Sequence, residues 1–231
     1  MIKKFFITAA ALGIFLGATN AFCVEMNDNN DEVVLFIVDF SNSMSEKFRG
    51  VKKIDMVLDT IDEILPTIPK NKKIGLRVYG HKSGFLASTA CKASSLMVPI
   101  SQGSAGTIQG TLYNLKPTGW TPITYALKQA VAYDFAGFNG KKRIILLSDG
   151  GENCDESPCD YALELIKQRD DIFIDVIAFT IFDQEAKNQL KCAALATSGK
   201  FYTANTTAEL KNSLANSLNA KKEVQGKIIL H

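Results

Sequence analysis

A chain of 231 residues with 46% hydrophobic side chains can bury one sizeable core and gives no compositional reason for a second. Its 26 basic and 24 acidic side chains nearly balance, and loss of Lys3 and Lys4 with the leader described next leaves 24 against 24. No nucleic-acid or membrane-surface footprint is visible in that balance.

Lys3 and Lys4 precede an apolar run from Phe5 to Leu16, and small residues follow at Ala18, Thr19 and Ala21. This pattern predicts a secretory signal peptide over residues 1–23, cleaved near Ala21 or Cys23, because the apolar part is shorter than the ~20 residues of a membrane span. Residues 24–31, with Asn-Asp-Asn-Asn-Asp, read as a solvated linker. The folded domain is expected over 32–218, followed by a tail at 219–231.

Val33 to Val38 is an unbroken apolar run ending at Asp39, with Ser41 and Ser43 at the next alternate positions. Such a run predicts a central strand covered on both faces, and places Asp39, Ser41 and Ser43 on a solvent-facing loop at its carboxyl end. One carboxylate and two hydroxyls are hard donors suited to Mg²⁺ or Ca²⁺; the same residues equally suit a helix cap. Ile54, Val57, Leu58, Ile61 and Leu65 then recur at helical spacing until Pro66. Ile74 to Tyr79 reads as a second strand and Leu96 to Ile100 as a short third, which Pro99 confines to an edge. A weak helix follows around Thr107 to Leu115.

In the stretch Lys116 to Thr124, Gly119 and Trp120 read as a turn, Thr121 as an N-cap and Pro122 as the first residue of a helix through Ile123, Ala126, Leu127 and Ala130. Trp120, between a glycine and a cap, is expected to be exposed. Arg143 to Ser148 is another buried strand, ending in Asp149-Gly150-Gly151. Glu152 and Asp155 in the next loop read as solvated acids. A short helix to Lys167, a strand from Ile172 to Phe179, a helix from Gln184 to Thr197 and a strand from Lys200 to Ala204 follow. A last helix, capped by Thr207, shows Leu210, Leu214 and Leu218 on one face.

Alternating strands and helices predict an α/β fold, a doubly wound, mostly parallel six-stranded sheet with helices on both faces. In the order 3-2-1-4-5-6, the first and fourth strands are neighbours, so that Asp39 and Asp149 meet at the switch point where ligands bind.

Asp39-Phe-Ser41-Asn-Ser43, Gly119-Trp-Thr121-Pro122-Ile and Leu147-Ser-Asp149-Gly-Gly together resemble the metal-ion-dependent adhesion site of the von Willebrand factor type A family. The likeness runs from about Asp31 to Leu218, and all five motif positions carry the family's residues. Tyr79-Gly-His81, Cys91, Gly151-Glu-Asn-Cys154, Pro158-Cys159 and Cys192 resemble an exported bacterial branch. The resemblance implies a Rossmann-like fold and a divalent cation, Mg²⁺ first, with Ca²⁺ or Mn²⁺ possible. It implies direct coordination by Ser41, Ser43 and often Thr121, with Asp39 and Asp149 acting mainly through bound waters. The ion then keeps an open position for an Asp or Glu carboxylate of a protein partner, and the function implied is adhesion or interaction, not catalysis. Two other readings compete with it: a metal-free structural domain in a larger envelope assembly, and a hydrolase with Ser41 or Ser43 as nucleophile and His81 as base. His81 reads more simply as a strand-end residue making an ordinary hydrogen bond, and neither serine lies in a Gly-x-Ser-x-Gly elbow.

If Cys23 leaves with the leader, Cys91, Cys154, Cys159 and Cys192 remain for two disulfides; a zinc site is the weaker reading. The sheet order puts Cys91 and Cys192 on opposite sides, several strands apart. This disfavours joining them and favours Cys91 with Cys154 and Cys159 with Cys192.

Overall fold

The computed structural model describes residues 32–84 and 86–219. The expected leader at 1–23, the linker at 24–31 and all but the first residue of the tail lie outside the described residues. Strand β1, Val33–Asp39, is buried along its whole length. It pairs in parallel with β4, Lys73–Tyr79, on one side and with β6, Lys142–Ser148, on the other. Two-residue strands β2, Lys47–Phe48, and β3, Val51–Lys52, form a separate small hairpin. Strands β5, Ser94–Gln102, β7, Ile172–Phe179, and β8, Phe201–Ala204, complete a six-stranded sheet of order β5-β4-β1-β6-β7-β8. This is the expected order, with β5 alone antiparallel. Pro99 sits on β5 at the sheet's edge, where its missing N–H costs no ladder bond.

Because side chains alternate along a strand, β1 feeds two cores. Val34, Phe36 and Val38 meet α1, Lys53–Ile64, α3, Ala105–Tyr113, and α7, Thr207–Leu218, through residues such as Val57, Ile108 and Leu214. Val33, Leu35 and Ile37 meet α4, Ile123–Gln129, α5, Pro158–Leu165, and α6, Gln184–Ala196, through Leu127, Leu165 and Leu190. A four-residue helix α2, Ala87–Ala90, lies in the loop after β4. The cap of α7 is Thr206 and not Thr207: its hydroxyl accepts from Glu209 N.

Buried charges are paired across the layers. Arg77 of β4 makes a forked contact with Asp134, Nε to Oδ2 at 2.6 Å and Nη2 to Oδ1 at 2.7 Å. Asp134 ends a π-helical segment, Ala130–Asp134, whose wider turn follows directly on α4. Arg143 Nη1 reaches both oxygens of Asp175 at 2.9 Å, and Ser217 Oγ donates to Asp175 Oδ2 at 2.6 Å, which ties α7 to the sheet.

Both expected disulfides are formed. Cys91 and Cys154 have Cα atoms 5.5 Å apart, and Cys159 and Cys192 5.1 Å.

Candidate metal centre

The register of β1 and β6, in which Val38 stands opposite Leu147, delivers Asp39 and Asp149 to the same end of two adjacent strands. A chain of hydrogen bonds joins their side chains. Ser41 Oγ and Ser43 Oγ are 3.0 Å apart, and Ser43 Oγ donates to Asp149 Oδ1 at 2.7 Å. Asp39 Oδ1 accepts from Ser41 N, and its Oδ2 accepts from Ser148 Oγ, each at 2.7 Å.

The threonine loop docks onto this chain through its backbone. Ser41 bridges to Gly119, Asn42 N donates to Gly119 O at 2.9 Å, and Gly119 N donates to Gly80 O at 2.7 Å. Gly80, at φ +71°, could carry no side chain there, since a Cβ would fall 2.5 Å from Ser41 N. Thr121 is buried two residues beyond Gly119, and its N–H donates to Asn153 Oδ1 at 2.7 Å. Its hydroxyl makes no hydrogen bond to Asp39, Ser41, Ser43 or Asp149 among the described residues.

Thr121 is also not the expected helix cap. The cap position of α4 is Pro122, which has no side chain able to accept. One open N–H of the helix is served instead from another loop: Thr124 N donates to Glu152 Oε2 at 2.7 Å, while Glu152 Oε1 accepts from Cys154 N of its own loop at 3.0 Å. Glu152 is therefore a buttress between two loops and not a solvated acid; burial raises its carboxyl above the ordinary value, against these hydrogen bonds. Asp155 is exposed, as expected. Trp120 is 40% exposed beside Thr121.

Asp39 is fully buried and does not face solvent as expected. Burial, and then the charge of Asp149, raise its carboxyl to about 6. Two carboxylates crowded at one strand end call for a cation. The chain supplies one: Lys53, the first residue of α1, places Nζ 2.8 Å from Asp149 Oδ2 and 3.2 Å from Glu46 Oε2. Burial lowers the ammonium's pKa, but the hydrogen bonds and charges of Asp149 and Glu46 outweigh it and hold the group above its usual range. Sequence reasoning missed Lys53. The available signal was a lysine in the first turn of a helix, where the macrodipole favours acids.

His81 corrects another expectation. Both ring nitrogens are buried, and among the described residues neither has a hydrogen-bond partner, so within them it forms no ordinary strand-end bond and no pair with either serine. Burial, with the neighbouring Lys82, lowers it to about 4. A histidine depressed in the fold supports stability above its ordinary 6.5 and loses that support as pH falls through about 4. We expect the His81 ring proton to titrate near the lower value by NMR, and His81→Leu to flatten the loss of stability between these limits. A normal midpoint in the folded protein would refute this.

The donor set fits a hard divalent cation. Asp39, Ser41, Ser43 and Asp149 are linked oxygen donors, and among the described residues no group of three or more His, Cys, Asp or Glu is assembled. Lys53→Met is expected to tighten ion binding roughly tenfold, by removing a cation beside the site. The same change should destabilise the protein in chelator, where Asp39 and Asp149 lose their internal counter-charge. Weaker ion binding would mean that Lys53 matters for holding Asp149 in place.

Comparison with known proteins bears on the family and on the fold. Residues 34–152 match the family model described as von Willebrand factor type A domain. The chain is 30% identical over 203 residues to the uncharacterized protein YwmD of Bacillus subtilis (strain 168), covering 85% of this chain and 88% of that one. Its fold is similar to proximal thread matrix protein 1 of the mussel byssus, with a zinc-occupied MIDAS motif, at a TM-score of 0.62 and 19% identity over 81% of this chain. It is also similar to the pilus adhesin SpaC of Lactobacillus rhamnosus GG in its open conformation, at a TM-score of 0.63 and 14% identity over 83% of this chain. The chain spans less than half of either structure, 44% and 30% respectively.

Proposed function

The chain belongs to the von Willebrand factor type A domain family, and from that premise we propose that it is an exported, divalent-metal-dependent protein-binding module. Ser41, Ser43 and Thr121 would hold the ion directly, and Asp39 and Asp149 would hold it mainly through water. The observation that carries this reading is the hydrogen-bonded run from Asp39 through Ser41 and Ser43 to Asp149 at the ends of adjacent central strands. Mg²⁺ is the ion of first choice for an all-oxygen set, and Ca²⁺ and Mn²⁺ suit the same donors. The ion supplies a Lewis-acidic position for an Asp or Glu carboxylate of a protein partner.

The chain's own residues set the charge that such a partner meets. Asp39 and Asp149 offset a dication, and Lys53, shared between Asp149 and Glu46, adds no net charge with that acid, so the ion's open position carries little spare negative charge. An incoming carboxylate is then attracted by the ion. Gly80 and Gly119 let the three loops close on one another, and Glu152 with Asn153 fixes the threonine loop. No serine–histidine pair is formed among the described residues, so the hydrolase reading gains no support from geometry. Two disulfides, and the likeness to a pilus adhesin's fold, support export.

The test is calorimetric titration of the full chain with Mg²⁺, Mn²⁺ and Ca²⁺, followed by binding of an immobilised Asp-containing peptide with and without chelator. Saturable ion binding, and peptide binding that chelator reverses, are expected. Absence of ion binding would favour the metal-free structural reading.

A further inference from the structure

The hairpin that follows the serine loop has no evident structural reason for its charge. Its residues Lys47-Phe48-Arg49-Gly50-Val51-Lys52 carry three cations, and all three are exposed. Lys47 stands directly opposite Lys52 in the antiparallel register, a like-charge pair that disfavours the hairpin. Among the described residues none of Lys47, Arg49 and Lys52 forms an ion pair; Glu46, which precedes the hairpin, is engaged by Lys53, and Asp183, which follows Phe182, caps α6 by accepting from Ala186 N. Lys53 N also donates to Glu46 O at 3.0 Å, so the base of the hairpin is clamped to the residue that pairs with Asp149.

The other pair in the hairpin, Phe48 opposite Val51, is apolar. The Phe48 ring lies 6.2 Å from that of Phe182, tilted by 41°, and the Arg49 guanidinium lies 5.2 Å over the Phe48 ring. Phe182 is 72% exposed and follows β7, beyond the same sheet end that presents Asp149 on the adjacent β6. Thr180, a β-branched residue at φ +54°, turns the chain there. Val51 is exposed as well. An aromatic pair rimmed by three unneutralised cations, continuous with a cation-holding centre, is complementary in charge and surface to an acidic segment carrying an apolar side chain.

We infer that the β2–β3 hairpin and Phe182 form a second docking element beside the metal centre, for a protein segment whose ion-coordinating carboxylate is accompanied by further acidic residues and an apolar side chain. The inference rests on the metal-dependent reading above and adds the class of partner. The extra carboxylates meet Lys47, Arg49 and Lys52, and the apolar side chain packs on Phe48 and Phe182. The centre alone accepts any accessible Asp or Glu; the hairpin discriminates among them.

The test uses the full chain and two labelled peptides in fluorescence anisotropy with saturating Mg²⁺. One has an Asp flanked by Leu and three Glu, and the control has the same Asp with Ala and three Gln. A triple variant, Lys47→Ser, Arg49→Asn and Lys52→Ser, removes the charges, with Asn chosen because it tolerates the left-handed backbone of Arg49. Phe182→Ala removes the aromatic pair. Each variant is expected to keep ion affinity within about twofold and to bind the acid-rich peptide roughly tenfold more weakly, while the control peptide binds all forms alike.

Equal binding of the acid-rich peptide by parent and triple variant, with loss in Asp39→Asn, overturns the inference and leaves the metal-dependent function standing. Binding that survives chelator and Asp39→Asn but is lost in the triple variant removes that function and keeps the hairpin. Tighter capture, by the same three cations, of phosphatidylglycerol-containing vesicles than of the peptide overturns the assignment to a protein segment, as does failure of the acid-rich peptide to bind at millimolar concentration.

Discussion

Asp39→Asn is expected to weaken divalent-ion binding on the order of a hundredfold or more while the protein keeps its fold. The choice of Asn follows from burial. Asp39 accepts from Ser41 N and from Ser148 Oγ with no access to solvent; Ser148 Oγ has Gly150 O at 3.0 Å as a second acceptor, but Asp39→Ala would strand the buried Ser41 N–H at about 1–3 kcal/mol. Asn retains one acceptor oxygen and removes the charge. The pH dependence separates the two effects. Burial and Asp149 raise the Asp39 carboxyl from 3.8 to about 6, so the stability gained by its protonation is fully present below 3.8 and is lost as pH rises through about 6. In chelator the Asn variant, neutral at every pH, should not show that loss and should match or exceed the parent's stability near neutral pH. Denaturation curves at several pH values and calorimetric ion titration check both halves. Unchanged ion affinity would sink the site assignment, and collapse of the chelated variant would make Asp39 a structural residue first.

The parts legible in the sequence are those fixed by long uninterrupted patterns. Val33 to Val38 and Arg143 to Ser148 read as central strands because both faces of each are buried, and two such strands leave little choice of order for the rest. That order alone brings Asp39 near Asp149, and it also separates Cys91 from Cys192. What was not legible depends on contacts between distant segments. The helix cap assigned to Thr121 belongs to Glu152, 28 residues from Thr124, and no local pattern encodes such a cap. The hairpin strands are two residues long, too short for any periodicity, yet their turn at Arg49 and Gly50 is what returns Lys53 to Glu46 and Asp149. Asp134 finds Arg77 only because a π-helical turn follows α4, a departure that apolar spacing does not reveal. Lys53 broke a local rule, a cation at a helix start, and local rule-breaking is where function concentrates.

The two disulfides should contribute alike to stability and differently to the metal centre. Cys91–Cys154 closes a separation of 63 residues and Cys159–Cys192 one of 33, so chain entropy assigns each roughly 4 kcal/mol. Cys154 immediately follows Glu152 and Asn153, the residues that hold Thr124 N and Thr121 N. Its bond to Cys91 therefore anchors the segment that positions the threonine loop. Cys159–Cys192 instead joins α5 to α6, on the flank of the sheet. Cys91→Ser with Cys154→Ser is expected to lose roughly 4 kcal/mol and to weaken ion binding about tenfold by loosening Thr121. Cys159→Ser with Cys192→Ser should lose a similar amount of stability and leave ion affinity unchanged wherever the protein is still folded. Urea denaturation gives the first quantity and calorimetric ion titration the second. Equal ion affinity in both double variants would show that the Cys91–Cys154 bond plays no part in shaping the centre, and that Glu152 and Asn153 hold the threonine loop without it.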